Sequence, residues 1–331
     1  MKICYLGYHD DTNSGWGRYT HELVSAIKKS GCKAFLLSED PLGIARCDIV
    51  HALDVYPYGV CGYFAALFAR KKLVISAQGT YAIEPLYKAK TAFLSRRALN
   101  SADAVIAISN FTKSELLKKA RPKRVEIINH GIDLNLFHAE RMAGSQDFIL
   151  SVGALKYRKG YHISIPAFAL AKKKIPHLKY KVVGNADDAN YFNQLKTIAE
   201  KCNVLHDVEF ISGISDKELR KLYQSAKLFV LVSVNIRHSF EGFGLVFLEA
   251  AAAGLPVIGT LGNGIEDAVK NDYNGILVEQ GNIAETAQAI CEILNSESAW
   301  QRMSENSHRW AQEHSLEKMA AQYIALYKNL L

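Results

Sequence analysis

The sequence predicts an α/β protein of two doubly wound domains, each a parallel sheet with helices on both faces. Three observations lead there. Short β-branched runs alternate with helix-length amphipathic segments from end to end, the pattern of parallel strands buried on both faces. The series occurs twice, with an aperiodic pause between. A length of 331 residues also suits two domains of roughly 150 residues better than one.

In the first series, residues 3–7, 34–37, 48–53, 73–77, 104–108 and 125–128 read as buried strands. Amphipathic stretches such as 17–29 and 109–119 supply helices between them. Residues 129–146 carry no period and hold two glycines, so they read as the linker. A second series follows at 148–152, 180–183, 208–212, 228–232, 256–259 and 275–278. After a polar break at Glu313-His314-Ser315, residues 316–331 form a last amphipathic helix. The expected domains are 1–143, completed by the terminal helix 315–331, and 144–314.

Composition narrows the function classes. With 49% hydrophobic and 22% charged residues, the chain is an ordinary globular protein and not a disordered or fibrous one. Six cysteines at 4, 32, 47, 61, 202 and 291 form no C-x-x-C pair and no metal spacing. They read as reduced core thiols of a cytoplasmic protein. The first apolar run turns polar at His9-Asp10-Asp11, too early for a signal peptide. The longest nearly apolar stretch, 61–69, is too short to span a bilayer. The formal charge of +7 is carried by residues 1–145, where 20 Lys+Arg face 13 Asp+Glu; residues 146–331 hold 20 of each. A solvated surface and an anionic partner, such as a peripheral contact with the inner face of a membrane or a phosphorylated acceptor, both account for that excess. Nucleic acid is not indicated, because no basic-aromatic motif or zinc finger accompanies the charge.

The most specific stretch runs from Ser239 to Ile258: S-F-E-G-F-G-L-V-F-L-E-A-A-A-A-G-L-P-V-I. It leaves a strand, passes a glycine turn, enters a helix and returns to a strand. Gly242 and Gly244 let backbone approach a ligand, and the helix beyond offers unpaired N–H groups to a diphosphate. Glu241 falls in the turn and Glu249 a turn and a half into the helix, so the two carboxylates can bind different hydroxyls of one ligand. An acid near a helix N-terminus also favours the dipole. Glu249, set among alanines, is harder to explain that way, since an unpaired buried acid is costly.

With the spacing Glu241-x7-Glu249, this stretch resembles the retaining glycosyltransferases of family 4, which have the GT-B fold, two Rossmann-like doubly wound domains facing a central cleft. The similarity extends over almost the whole chain in an ordered set: S-G-W-G-R-Y-T from Ser14, I-S-N-F-T from Ile108, N-H-G-I-D from Asn129 and S-V-G from Ser151. Lys159-Gly160, the Glu pair, G-N-G-I-E from Gly262 and Asn274-Gly275 complete it. The resemblance implies a transferase of a hexose-type sugar from a UDP- or GDP-sugar to a glycan or lipid-linked acceptor, with no cofactor. It assigns catalytic roles to Glu241, Lys159 and Gln78. Nucleotide-sugar binding falls to Gly15, Gly153, Arg158, Lys159, Glu241, Gly242, Phe243, Gly244, Leu245, Glu249, Gly264 and Ile265. Within that set Glu249 holds the ribose hydroxyls, Lys159 neutralises the diphosphate, and backbone groups of Gly264 and Ile265 meet phosphate or sugar. No metal is implied: the chain has no D-x-D motif, and lysine with helix dipoles can do the neutralising.

Two positions depart from the family pattern. Where many relatives carry Arg after the Val-Gly of the second domain, this chain has Ala154; Lys156 and Arg158 are the candidates to compensate. Where relatives place a His after a first-domain strand, this chain has Gln78, which hydrogen-bonds but carries no proton. These departures are the support for the alternative, a catalytically silent subunit that binds a nucleotide sugar. His51 and His130 read as satisfied structural histidines.

Overall fold

The structure is a computed structural model that describes residues 1–7, 15–40, 42–137 and 147–331, the side chains of Gly15 and Trp16 excepted. His9, Asp10, Asp11, Ser14 and the linker residues Gly144, Ser145 and Gln146 lie outside the described residues. The chain packs as two compact units: Met1–Gly131 with His314–Leu331, and Ile132–Glu313. The division falls at Gly131, before the 143/144 boundary read from the aperiodic stretch.

Unit 1 is a six-stranded parallel sheet of β1 (Lys2–Leu6), β2 (Lys33–Leu36), β3 (Ile49–Ala52), β4 (Lys72–Ala77), β5 (Ala104–Ala107) and β6 (Val125–Ile127). Its strand order is β2-β1-β3-β4-β5-β6, so the winding reverses between β1 and β3. All four residues of β3 and of β5 are buried, as strands covered on both faces must be. The terminal helix Leu316–Leu330 returns to this unit. Its Met319, Ala320, Tyr323, Leu326 and Tyr327 join one core with Leu23 and Ile27 of the helix Gly15–Lys29 and with Ile3 and Tyr5 of β1. That apolar stripe at three- and four-residue spacing is what fixes the helix there.

Polar groups inside this core satisfy one another. Tyr5 and Tyr327 hydroxyls meet at 2.9 Å, and His51 Nδ1 lies 2.7 Å from the Tyr327 hydroxyl. His51 Nε2 lies 2.9 Å from Ser76 Oγ, and the Tyr19 and Tyr323 hydroxyls are 2.6 Å apart. Burial without a charge partner lowers His51 to about 3, so the ring is neutral. It is a satisfied structural histidine.

Unit 2 is a second six-stranded parallel sheet: β7 (Phe148–Val152), β8 (Lys179–Val183), β9 (Val208–Ile211), β10 (Leu228–Val230), β11 (Val257–Thr260) and β12 (Gly275–Val278). The order β12-β11-β10-β7-β8-β9 reverses between β7 and β10, which pair in the register Leu228↔Ile149 and Phe229↔Leu150. In open α/β sheets the loops leaving the two strands at such a reversal diverge and leave a crevice. Every strand expected from the sequence is present, most ends shifted by one or two residues. The core-thiol expectation holds for Cys4, Cys47 and Cys291 but not for Cys61, which is exposed. It sits on the helix Tyr58–Ala69, away from the face that buries Gly59, Gly62 and Ala66. Among the described residues, no helix is long and apolar enough to cross a membrane.

Candidate active site

The crevice of unit 2 is built from the loops that follow β7 and β10. After β7, Gly153 leads to a single 3-10 turn, Tyr157–Lys159, closed by Gly160. Gly160 has φ +75, and a Cβ there would stand 1.9 Å from the Val232 carbonyl oxygen. Only glycine permits this approach. The β10 loop is tied to the same turn by the Val234 N–H donating to the Arg158 carbonyl at 2.8 Å. The neighbouring basic side chains are thereby aimed at one point.

That point is Glu241. Its Oε2 accepts from Lys159 Nζ at 2.7 Å, Arg158 Nη1 at 3.0 Å and Ser233 Oγ at 3.3 Å. Burial alone would raise this carboxyl, but Lys159 and Arg158 outweigh it and hold Glu241 down to about 2. It is therefore ionised at any working pH, and the cluster of two cations and one anion is net positive. Directly after it, Gly244 (φ 88) opens the helix Leu245–Ala252, whose N-terminus has no side-chain cap. Uncapped N–H groups and the helix dipole add to the positive potential.

Glu249 lies within that helix, 3% exposed, and its Oε2 accepts from the buried Tyr223 hydroxyl at 2.8 Å. A carboxylate has lone pairs for further donors. The Gly264 loop closes another side: a Cβ on Gly264 would come within 1.9 Å of the Gly242 carbonyl oxygen. Asn263, buried, donates to Thr260 Oγ1 at 2.9 Å, and Thr260 donates to the Ser233 carbonyl at 2.8 Å.

The structure thus brings together Gly153, Arg158, Lys159, Glu241, Gly242, Gly244, Leu245, Glu249, Gly264 and Ile265 in one unit. Phe243 is 2% exposed, so its ring supports the loop from inside. The N–H of Gly264 donates to the Glu241 carbonyl and that of Ile265 to Asn263 Oδ1, both at 2.9 Å. Both N–H groups are thus engaged within the turn. Of the two candidates to compensate for Ala154, Arg158 reaches Glu241 and Lys156 is exposed. Gln78 and Gly15 belong to unit 1. Gly15 is the first residue of its helix. Among the described residues, the buried Gln78 Nε2 has no acceptor in hydrogen-bonding geometry, although the Tyr19 hydroxyl is near enough to feel it. Sequence reasoning missed Ser233, Tyr223 and Asn263. Ser233 and Tyr223 are common polar residues with no motif around them, and Asn263 stands inside the G-N-G-I-E stretch without having been given a role of its own.

A sequence profile described as glycosyl transferases group 1 matches residues 135–310, and one described as Glycosyltransferase Family 4 matches residues 33–136. An uncharacterized glycosyltransferase of Methanocaldococcus jannaschii is 25% identical over 297 residues, 90% of this chain and 80% of that protein. The GDP-mannose-dependent alpha-(1-6)-phosphatidylinositol monomannoside mannosyltransferase of Mycobacterium tuberculosis is 26% identical over 60% of this chain. That match spans only 54% of the mannosyltransferase. Among solved structures, Anabaena HepE in complex with UDP superposes with a TM-score of 0.83 at 19% identity, covering 99% of this chain and 100% of HepE. The same protein has been solved with UDP-glucose (TM-score 0.80, 20% identity). At such identities the superpositions speak for the fold, and that fold is GT-B.

Proposed function

Because the chain belongs to the glycosyl transferases group 1 family, we propose that it moves a hexose-type sugar from a UDP- or GDP-sugar to a glycan or lipid-linked acceptor, with retention and without a metal. The observation that carries this reading is the convergence of Arg158 and Lys159 on Glu241 where the strand order reverses. A departing nucleoside diphosphate concentrates negative charge, and a net positive cluster beside an uncapped helix N-terminus is shaped to receive it. Both cations are already held in place by Glu241, so little reorganisation accompanies the growth of charge in the transition state. The relative named for GDP-mannose and the structures holding UDP and UDP-glucose support a donor of this class. The phosphatidylinositol monomannoside in the relative's name supports a lipid-linked acceptor.

In the proposed step the acceptor oxygen bonds to the anomeric carbon as the bond from that carbon to the diphosphate breaks, on the same face. The acceptor proton passes to the departing phosphate oxygen. No protein base is required, which agrees with a Glu241 that Lys159 and Arg158 hold at about 2, too weak a base to take that proton. Glu241 instead spaces the two cations and faces the carbon that gains positive character. Glu249, which also accepts from Tyr223, is assigned to the ribose hydroxyls. In unit 1, the buried amide of Gln78 and the helix begun by Gly15 are assigned to ligand oxygens.

Thermal unfolding with a panel of UDP- and GDP-sugars tests the reading. The right donor at a hundred times its Kd stabilises by about 2.7 kcal/mol, and Lys159→Ala abolishes the shift. No shift with any of them overturns it. Retention is checked by proton NMR of the product, where an inverted anomer refutes it. Chelation with EDTA leaves the rate unchanged; a loss restored by a divalent cation refutes metal independence.

A further inference from the structure

The stretch too short to span a bilayer forms the helix Tyr58–Ala69 of unit 1, which contains no charged residue. It packs on the sheet through Gly59, Val60, Gly62 and Ala66, all buried. Its opposite face is Cys61, Phe64, Leu67 and Phe68, with Phe64 40%, Leu67 56% and Phe68 83% exposed. The solvent face of a helix that covers a sheet is ordinarily its polar face, and here it is wholly apolar. The helix Ala89–Ser101 lies beside it, joined by Arg97 Nε donating to the Tyr63 hydroxyl at 3.3 Å. This second helix exposes Phe93 (74%) and Leu94 (38%).

Neither helix contains an Asp or Glu. The second carries Lys90, Arg96 and Arg97, and the first runs directly into Arg70, Lys71 and Lys72. A cleft of about 420 Å³ opens between them, lined by Tyr63, Leu67, Arg70, Lys71, Arg97 and Asp103 among others. The Asp103 carboxylate is engaged by Lys72 Nζ at 3.1 Å. Rings and cations therefore share one face.

We propose that this face docks on a bilayer surface rich in anionic lipids. The phenyl rings and Leu67 enter the boundary between headgroups and acyl chains, while Lys71, Lys90, Arg96 and Arg97 meet lipid phosphates. Apolar insertion combined with basic flanks is the physical signature of an interfacial helix. A second copy of the chain is the poorer occupant, because a two-fold contact would set these cations against themselves. The proposal stands apart from the transfer reading, since lipid binding is measured without donor or acceptor.

The test is cosedimentation of the full chain with vesicles of phosphatidylcholine alone, and with one lipid in three replaced by phosphatidylglycerol. The parent protein is expected to bind the anionic vesicles at low salt, to release them at high salt and to ignore the neutral ones. Lys90→Gln with Arg96→Gln weakens binding ~30-fold, from two cations at about 1 kcal/mol each. Phe68→Ser with Phe93→Ser weakens it roughly tenfold or more. Both pairs keep the parent's circular dichroism and melting temperature, since the four side chains are exposed. A parent protein left in the supernatant overturns the proposal, as do variants that bind undiminished. Sedimentation velocity showing a dimer that Phe68→Ser with Phe93→Ser dissociates gives the face to a second copy instead.

Discussion

Unit 1 and unit 2 place different chemistry at the same point of the same architecture. Beside the reversal of unit 1, Tyr5 and His51 are direct partners across β1 and β3. They belong to a sealed, neutral network with Tyr327, Ser76, Tyr19 and Tyr323. Beside the reversal of unit 2, two cations and a carboxylate sit in the crevice, with side chains 11–23% exposed. Both sheets are covered on both faces, and both are held by the same hydrophobic logic. The difference teaches that the layers fix where the reversal lies, while the side chains beside it, from strands and helices in unit 1 and from loops in unit 2, decide whether a neutral network or a charged cluster stands there.

The comparison breaks first at Lys159. If the charged crevice carries catalysis, Lys159→Ala lowers kcat/KM about 10²–10³-fold, the range for removing one preorganised electrostatic donor, with little change in melting temperature. A rate within a few-fold of the parent would remove unit 2's claim. Glu241→Gln comes next and is read as stability. It leaves Arg158 and Lys159 facing each other unneutralised, and costs up to about 3 kcal/mol in denaturant unfolding. The parent's Glu241 contribution is fully present above the ordinary carboxylate pKa and is lost only as pH falls from about 4.5 towards about 2.

Acid sharpens the contrast from the other side. A histidine held neutral at about 3 makes the unfolded state the better proton acceptor, so stability falls as pH drops below the ordinary value of 6.5. Between pH 7 and pH 5 the parent is expected to lose about 2 kcal/mol more than His51→Asn. His130 acts in the same direction, and Asp54, raised by burial to about 6, acts in the opposite one. Both are common to parent and variant and cancel in the difference. Equal pH slopes would show that the network is not sealed. The smallest effect is at Ser233→Ala, which removes one of Glu241's three donors. Its expected cost is about 1 kcal/mol, seen as a several-fold rise in donor KM with kcat unchanged.

Much of this was legible before any coordinates. All twelve strands follow from β-branched runs, because burial on both faces forces a local, nearly continuous apolar pattern. Glu241, Lys159 and the glycines around them were legible because backbone that must approach a ligand or another strand tolerates only glycine, and the motif preserves that need in sequence. The role of Arg158 was open, since Lys156 and Arg158 stand two residues apart in one loop. Its selection required the tie between that loop and Val234. Ser233 and Tyr223 left no trace, because their partners lie 8 and 26 residues away, whereas Asn263, three residues from its partner Thr260, stood inside a quoted stretch without a role of its own.

The sequence by itself determined two parallel sheets, the return of the terminal helix as an amphipathic element, and the presence of a glycine-opened acidic loop, since all of these are local patterns of polarity and backbone freedom. Only the tertiary structure decided which basic side chains meet that acid, that the N–H groups of Gly264 and Ile265 are spent inside the turn, and that the apolar 61–69 stretch faces outward with Phe93 beside cations. The physical reason is common to all three. A pairing energy depends on distance and burial, and those are set when strands far apart in the chain become neighbours.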